Sequence, residues 1–524
     1  MTHRAAHRPT VRAANGIVAS GHHLATAAGL AALRDGGTAA DAAIAAAAVC
    51  AVVLPHRTAI GGDVFALVYD ARTRTVTAYN GSGAAPATVD PERHAGGYAD
   101  RGADLATVPG APAAWADIVD GHGRLGLDRA LAPAIGYAED GFPVSDVLAA
   151  AIEEERDRLG ADPECARTYL PRGRQPRPGE ILQQPDLAAT LRTIAASGAG
   201  AFYRGSLAVR IADGIAALGG CVSEEDLDLH RTDRRDPIET TYRGLRVVGQ
   251  PPVTQGHVLL EELAIADGLD LRGLGWGTTE AIHTMVEIKK LAFADRDAHA
   301  GDPRMVPFDA SRLLTAAYVA ARRRAIGGRS SERVEAQALP ADTTYLAVVD
   351  RDGNAVSLIE SVFSAFGAAT MIPQTGILLN NRLSGFSLDP RSPNALAPGK
   401  RPVHTLNTVI VLDGSALRYV YGTPGRQAQV QTNFQLASSF IDHGMDVQAA
   451  IEAPRWYHEA GRALRIESRF PESVRKGLAA KGHELELLGD WHEITGGAQA
   501  ICVDDNGVFS GGADPRREGY AAGY

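Results

Sequence analysis

The 524-residue sequence predicts an α/β protein layered as α/β/β/α. Three observations predict it. Strand-like runs with period-2 alternation occur in both halves of the chain. Helical runs with cap and stop signals lie between them. A hydrophobic content of 45% supplies apolar surface for a core shared by several layers.

Gly16 opens a short strand, GIVAS, and an amphipathic helix follows, HLATAAGLAALRDGG, which stops at the Gly36–Gly37 pair. Thr38 is placed to cap the next helix, TAADAAIAAAAVCAVVL. That run is too short and too alanine-rich to cross a bilayer, so it reads as a buried helix. VFALVYDA and TVTAYNGS alternate as two strands joined by a turn. From about Pro109 to Gly268 the pattern is mainly helical, with Pro- and Gly-rich joints. TTEAIHTMVEIKKLAFADRDAHAGDP reads as one long amphipathic helix ending at a Gly-Asp-Pro stop. AARRRAIGGRSSER is a helix end with an exposed loop, since cations suit a helix C-terminus. RSSERVEAQALPAD reads as an exposed linker in which Pro340 stops any helix from running on. YLAVVD and AVSLIESV then form a hairpin about the Asp-Gly turn RDGN. GILLNN, NTVIVLDG, ALRYVYG, AQAICVDDNG and VFSGGADP are further strands, and QTNFQLASSFIDHG and PESVRKGLAAKG are helices.

The net charge of −10, with no basic stripe, argues against nucleic acid as a partner. Cys50, Cys165, Cys221 and Cys502 are far apart and form no C-x-x-C pair, which removes zinc-ribbon and dithiol redox readings. Few cysteines in a long chain fit a reducing compartment. The N-terminal stretch has no apolar signal-peptide core, so a soluble cytoplasmic protein with no membrane partner is expected. His22, His23, His257 and His283 show no metal-ligand spacing with nearby acids and read as helix-surface or core residues. No metal or organic cofactor is expected.

ADTTYLAVVD raises a chemical question. Threonine is a common strand opener. A threonine at a newly cut N-terminus is also a self-contained nucleophile, because its own α-amine, with a pKa of about 7.7–8.0, serves as the base for its hydroxyl. If Thr343 Oγ attacks the Asp342 carbonyl, an ester forms. Water then opens it, and the Asp342–Thr343 bond is cut.

The chain resembles the gamma-glutamyltranspeptidase family of N-terminal nucleophile hydrolases. The resemblance rests on GIVASGHHLATAAGLAALRDGGTAADAAIAAAA, LPHRTAIGGDVFALVYD, VPGAPAAW, YAEDGFPVSD, PPVTQGH, KKLAFADRDAHAGDP, DTTYLAVVDRDGNAVSLIES, GILLNN, GFSLDPRSPNALAPGKRPVHTLN, YGTPG and GGADPRREGYAAGY, all in the family's order. It implies a four-layer αββα sandwich and a proenzyme that cleaves itself. Residues 1–342 would form a large chain and 343–524 a small catalytic chain, both within one domain. Thr343 aligns with the nucleophile and Ser361 with a hydroxyl that hydrogen-bonds it. GTPGR aligns with the di-glycine oxyanion loop, so the N–H groups of Gly425 and Arg426 would be the donors, with Arg426 replacing the second glycine.

The departures from the family pattern concern the substrate. Ser82 stands where the family carries an arginine for the substrate α-carboxylate. Arg382 and Gly385 stand at the positions corresponding to the acid that holds the α-amine. His404–Thr405 replace a Ser-Ser pair, and Phe363 replaces an asparagine. A glutamyl ammonium would therefore meet a cation. Arg382, His404 and Arg426 together would suit a carboxylate-bearing acyl group that lacks an α-amine. The sequence resembles the divergent branch that includes cephalosporin-type acylases and oxamate amidohydrolases. The leading expectation is a self-processing threonine amidohydrolase acting on a small-molecule amide. The alternatives are a γ-glutamyl transferase or hydrolase with a rebuilt glutamyl site, and an unprocessed binding homologue without catalysis. A homodimer of the processed unit stays open.

Overall fold

The structure is a computed structural model that describes residues 7–332 and 342–524. The linker expected around Pro340 lies mostly outside the described residues.

Two seven-stranded antiparallel sheets pack face to face. In one, the strand order is Tyr520–Gly523, Gly16–Ser20, Asp342–Asp350, Ala355–Phe363, Asp63–Asp70, Thr75–Gly81, Asp233–Arg235. In the other it is Val11–Ala13, Phe509–Ala513, Gln499–Val503, Ala416–Gly422, Val409–Asp413, Leu245–Gly249, Ile238–Tyr242. Alternation along the strands sends one set of side chains between the sheets, where Ile17, Phe65, Tyr345, Ile359, Ile410 and Val420 meet. The opposite set meets helices. Ala39–Val53 packs on the first sheet; Gly256–Asp267, Thr279–His299 and Ala428–Ala437 cover the second. This is the four-layer αββα sandwich.

The local signals explain the elements. Thr38 closes a capping box with Asp41, and every residue of Ala39–Val53 is buried, as a helix without a polar face must be. The Asp-Gly hairpin turn is held by Asp350. Its Oδ1 accepts the N–H groups of Asp352 and Asn354, and its Oδ2 accepts the Ala39 N–H at 2.8 Å. The same turn therefore ties the hairpin to the helix layer.

Two expectations need correction and a third needs an addition. The stretch from Pro109 to Gly268 is mainly helical, as expected, but it also holds strands. Asp233–Arg235, Ile238–Tyr242 and Leu245–Gly249 are strands that complete one edge of each sheet. Thr279–His299 is a helix but not an amphipathic one, because Glu287, Lys289 and Lys290 are buried along with its apolar residues. GILLNN contributes only Ile377–Leu378 to a strand.

Candidate functional site

Strand parity decides where the threonine points. Tyr345, Ala347 and Val349 enter the inter-sheet core, whereas Leu346 and Val348 enter the helix-side core. Thr343 shares the parity of Tyr345 and is fully buried at the strand's start. The hairpin pairing slips there. Asp342 lies opposite Phe363 and Thr344 opposite Glu360, so a bulge sets both Ser361 and Val362 against Thr343. Thr343 Oγ1 donates to Ser361 Oγ at 3.4 Å, and Ser361 Oγ accepts the Phe363 N–H at 2.8 Å. The Thr343 carbonyl accepts from Arg517 Nη1 at 3.4 Å. In this continuous chain the Thr343 nitrogen is a peptide N–H and has no basic lone pair.

Ser361 pairs directly across the sheet with Asp63. Asp63 Oδ2 accepts from Arg382 Nε at 2.9 Å, and Oδ1 accepts the Gly83 N–H at 2.9 Å. Both members of this ion pair are fully buried. Burial pushes the Asp63 carboxyl up and the Arg382 guanidinium down, and their mutual attraction opposes both shifts. Arg382 also lies 4.6 Å above the Phe363 ring. Its backbone is fixed by Asn380, whose Oδ1 accepts the Arg382 N–H while its Nδ2 donates to the carbonyls of Gly61 and Thr107. Arg382 Nη1 and Nη2 are buried, with no hydrogen-bond partner among the described residues.

His404 stands edge-on to Phe65 at 4.8 Å, and neither of its ring nitrogens has a hydrogen-bond partner among the described residues. Burial, then the cations of Arg382 and Arg401, hold it well below the usual histidine range, so it is neutral at pH 7. Thr405 Oγ1 is likewise buried and unpartnered among the described residues. Ser82 is committed elsewhere, as its Oγ donates to Asn80 Oδ1 at 2.6 Å. Arg382 and His404 are both fully buried, and the Arg382 cation is among the charges that lower the His404 imidazole. Arg426 is exposed and sits in a tight turn.

That turn has Gly425 at φ +133° and Arg426 at φ +58°, a left-handed conformation that is costly for arginine. Gly425 is required by packing as well, since a Cβ there would lie 3.0 Å from Gly496 Cα. The turn follows strand Ala416–Gly422, whose Gly422 lies flat on the Tyr345 ring, and it leads into helix Ala428–Ala437. Gly497, next to Gly496, packs on Arg517, which touches Thr343.

His283 corrects the sequence reading in a different way. One helical turn separates it from Glu287, and His483 joins them, with ligand-type atoms all within 4.8 Å. The imidazoles hydrogen-bond each other at 2.9 Å, and Lys290 Nζ donates to Glu287 at 2.8 Å, so an ammonium already balances the carboxylate.

Sequence reasoning missed Asp63, Asn380 and Arg517. Asp63 and Asn380 sat inside quoted motifs, GGDVF and NNR, with nothing local to separate them from ordinary strand-end polar residues.

Comparison with known proteins agrees with this geometry. The family model described as Gamma-glutamyltranspeptidase matches residues 25–524. The glutathione hydrolase-like YwrD proenzyme of Bacillus subtilis is 40% identical over 515 residues, covering 97% of this chain and 98% of that protein. The oxamate amidohydrolase proenzyme of Klebsiella pneumoniae is 39% identical over 523 residues, covering 97% and 98%. The crystal structure of a cephalosporin acylase from Bacillus halodurans superposes with a TM-score of 0.93 at 36% identity, covering 100% of this chain and 98% of that one. With the αββα sandwich in place and the match running almost end to end, the chain belongs to the gamma-glutamyltranspeptidase family and is an enzyme of the N-terminal nucleophile hydrolase type.

Proposed function

We propose that this chain cuts its own Asp342–Thr343 bond and then hydrolyses a small amide whose acyl half carries a carboxylate and no α-amine. One observation carries the substrate reading. Arg382 is a fully buried cation whose Nη1 and Nη2 have no partner among the described residues, beside a neutral His404. A carboxylate satisfies those donors, whereas an ammonium is repelled.

The chemistry follows from the placement of Thr343. Cleavage turns its amide into an amine that draws the proton from Oγ. Oγ attacks the substrate carbonyl, and the N–H groups of Gly425 and Arg426 receive the oxyanion. Arg426 held at φ +58° supports this, because such strain persists where a backbone direction matters. The amine returns the proton to the leaving nitrogen, and water opens the ester. Ser361 holds the hydroxyl in line. Relatives named as proenzymes and as an amidohydrolase support the processing and the reaction class.

Mass spectrometry of the purified protein tests the first step, with a fragment beginning at Thr343 expected. A kinetic comparison tests the second, with oxamate and other carboxylate-bearing amides expected to outpace a γ-glutamyl anilide. The second reading, hydrolysis of γ-glutamyl amides, is favoured by the relative named glutathione hydrolase-like, and the reverse preference would establish it.

A further inference from the structure

His283, Glu287 and His483 take no part in the proposed reaction, yet all three are buried. His283 and Glu287 lie one turn apart on helix Thr279–His299, and His483 follows helix Glu472–Ala480. Their ligand-type atoms lie within 4.8 Å of one another. The Gly327 carbonyl can only accept, so His283 Nε2, 2.9 Å away, carries a proton, and in the neutral ring Nδ1 presents a lone pair. A backbone carbonyl behind the far nitrogen is the usual support of a metal-bound histidine. His283 Nδ1 faces His483 Nε2 at 2.9 Å. His483 Nδ1 is buried, with no hydrogen-bond partner among the described residues.

Two imidazole nitrogens and a carboxylate suit zinc better than magnesium or calcium, which prefer oxygen ligands throughout. At Zn–N distances of ~2.0–2.1 Å, tetrahedral ligands stand ~3.3 Å apart, so the imidazoles need to separate by only about 0.4 Å. The proton on His483 Nε2 then exchanges to its Nδ1, which freed Nε2 for the metal without changing the ring's charge. Burial, with His283 and Lys290 beside it, lowers His483 to about 4, so the ring is neutral at pH 7. Lys290 is the competing cation. Its Nζ donates to Glu287 Oε1 at 2.8 Å, to Ser330 Oγ at 3.0 Å and to the Ser331 carbonyl at 2.9 Å. It bonds to Oε1 alone, so Oε2 remains for a metal, and the ammonium favours an anion as the fourth ligand.

We infer that His283, Glu287 and His483 bind one zinc ion, with a water or a small anion in the fourth place. The ion has a structural use. His283 and Glu287 precede residue 342 and His483 follows it, so the metal ties together the two pieces that self-cleavage would make; this bridging rests on the proposed processing, whereas zinc binding does not. The same cluster holds the stretch leading toward the cut. His283 and Lys290 bond the carbonyls of Gly327 and Ser331, and the Ser330 N–H donates to the Lys481 carbonyl at 2.8 Å. A metal that links separate elements adds its binding free energy to the folded state alone.

The test uses untagged wild-type protein and single-chain Thr343→Ala, each stripped with a chelator and titrated with zinc by calorimetry. One zinc per chain is expected in both, with a Kd below ~1 μM, while magnesium and calcium give no binding. Cobalt in its place should show the strong visible absorption of a four-coordinate site. His283→Gln and His483→Gln should each weaken zinc binding by about 100-fold or more, with amide hydrolysis unchanged. Zinc should raise the wild-type thermal midpoint by about 5 °C and leave the variants unmoved. Unchanged midpoints in chelator show that the variants fold; should either misfold, the cobalt spectrum of the wild type decides. No zinc on Thr343→Ala, a six-coordinate cobalt spectrum, or binding that the variants retain in full, meaning an adventitious ion only, overturns the inference and leaves the amidohydrolase reading intact. If the wild type stays uncut, the processing reading fails and zinc binding is still read on the single chain.

Discussion

Asp63→Asn removes one charge from a fully buried ion pair and leaves the other in place. The pair is held at 2.9 Å, and both side chains have zero exposure. At an effective dielectric of ~20, two unit charges at that separation attract by ~6 kcal/mol. Asparagine keeps one acceptor oxygen, so either the Arg382 Nε–H or the Gly83 N–H retains a partner while the cation loses its counter-charge. Breaking a buried pair in this way costs about 3–5 kcal/mol. The assay is urea unfolding followed by tryptophan fluorescence, run in a Thr343→Ala background so that every variant is a single chain. The expected loss is ~3–5 kcal/mol, which is roughly two to four decades in the folding equilibrium. Arg382→Met is expected to cost less, because Asp63, already pushed up by burial, takes a proton instead of standing charged. The Asp63→Leu/Arg382→Met double variant should then be more stable than Asp63→Asn alone. A cost below ~1 kcal/mol for Asp63→Asn, or a double variant no more stable than Asp63→Asn, refutes the buried ion-pair argument.

Four further outcomes are expected. Thr343→Ala should stay at 55.0 kDa on a denaturing gel and hydrolyse nothing, while Thr343→Ser should still cleave, more slowly. Ser361→Ala should slow self-cleavage about 10- to 100-fold, since both the hydroxyl that orients Thr343 and the acceptor for the Phe363 N–H are lost; gel densitometry over time reads it. Arg382→Gln should raise KM for carboxylate-bearing amides about 10- to 100-fold, the value of one hydrogen bond to a charged group, with a smaller change in kcat. Stability should fall on acidification: burial lowers His22 and His230 to about 3 and His257 to about 4. These folded values lie below the unfolded one, so the stabilisation is complete above about pH 6.5 and drains as pH drops toward 3–4, by up to about 1.4 kcal/mol per pH unit for each group. Urea midpoints at pH 7.5 and 5.5 measure it, and His257→Gln should flatten the slope.

Much of the scaffold was readable because its signals are local. The Asp-Gly turn marks its own hairpin, Thr38 marks its own helix, and parity alone turns Thr343 toward the inter-sheet core. What stayed hidden depends on distance or on exposure. Asp63 and Arg382 are 319 positions apart, and no periodicity links them. Asp233–Arg235 is a polar edge strand with exposed arginines, so it carries no apolar alternation to read. Thr279–His299 looked two-faced because Lys289 and Lys290 normally mark a solvated side, whereas here their partners, His458 and Glu287, are buried with them. The exposure of Arg426 was equally unreadable, since a residue in a turn belongs to no periodic pattern that sets its side.

The interleaving of strands around Thr343 has a consequence for how this molecule is made. Each sheet takes strands from before and after residue 342, so neither segment owns a complete sheet. If the bond is severed as proposed, the two pieces would remain a single body only while folded. Denaturing the precursor is an event of one molecule with itself and can be reversed at any dilution. Denaturing the mature form scatters two partners that must find each other again, so its recovery should depend on concentration. Maturation would then act as a one-way latch: the architecture must be finished before the scission, because it is far harder to finish afterwards.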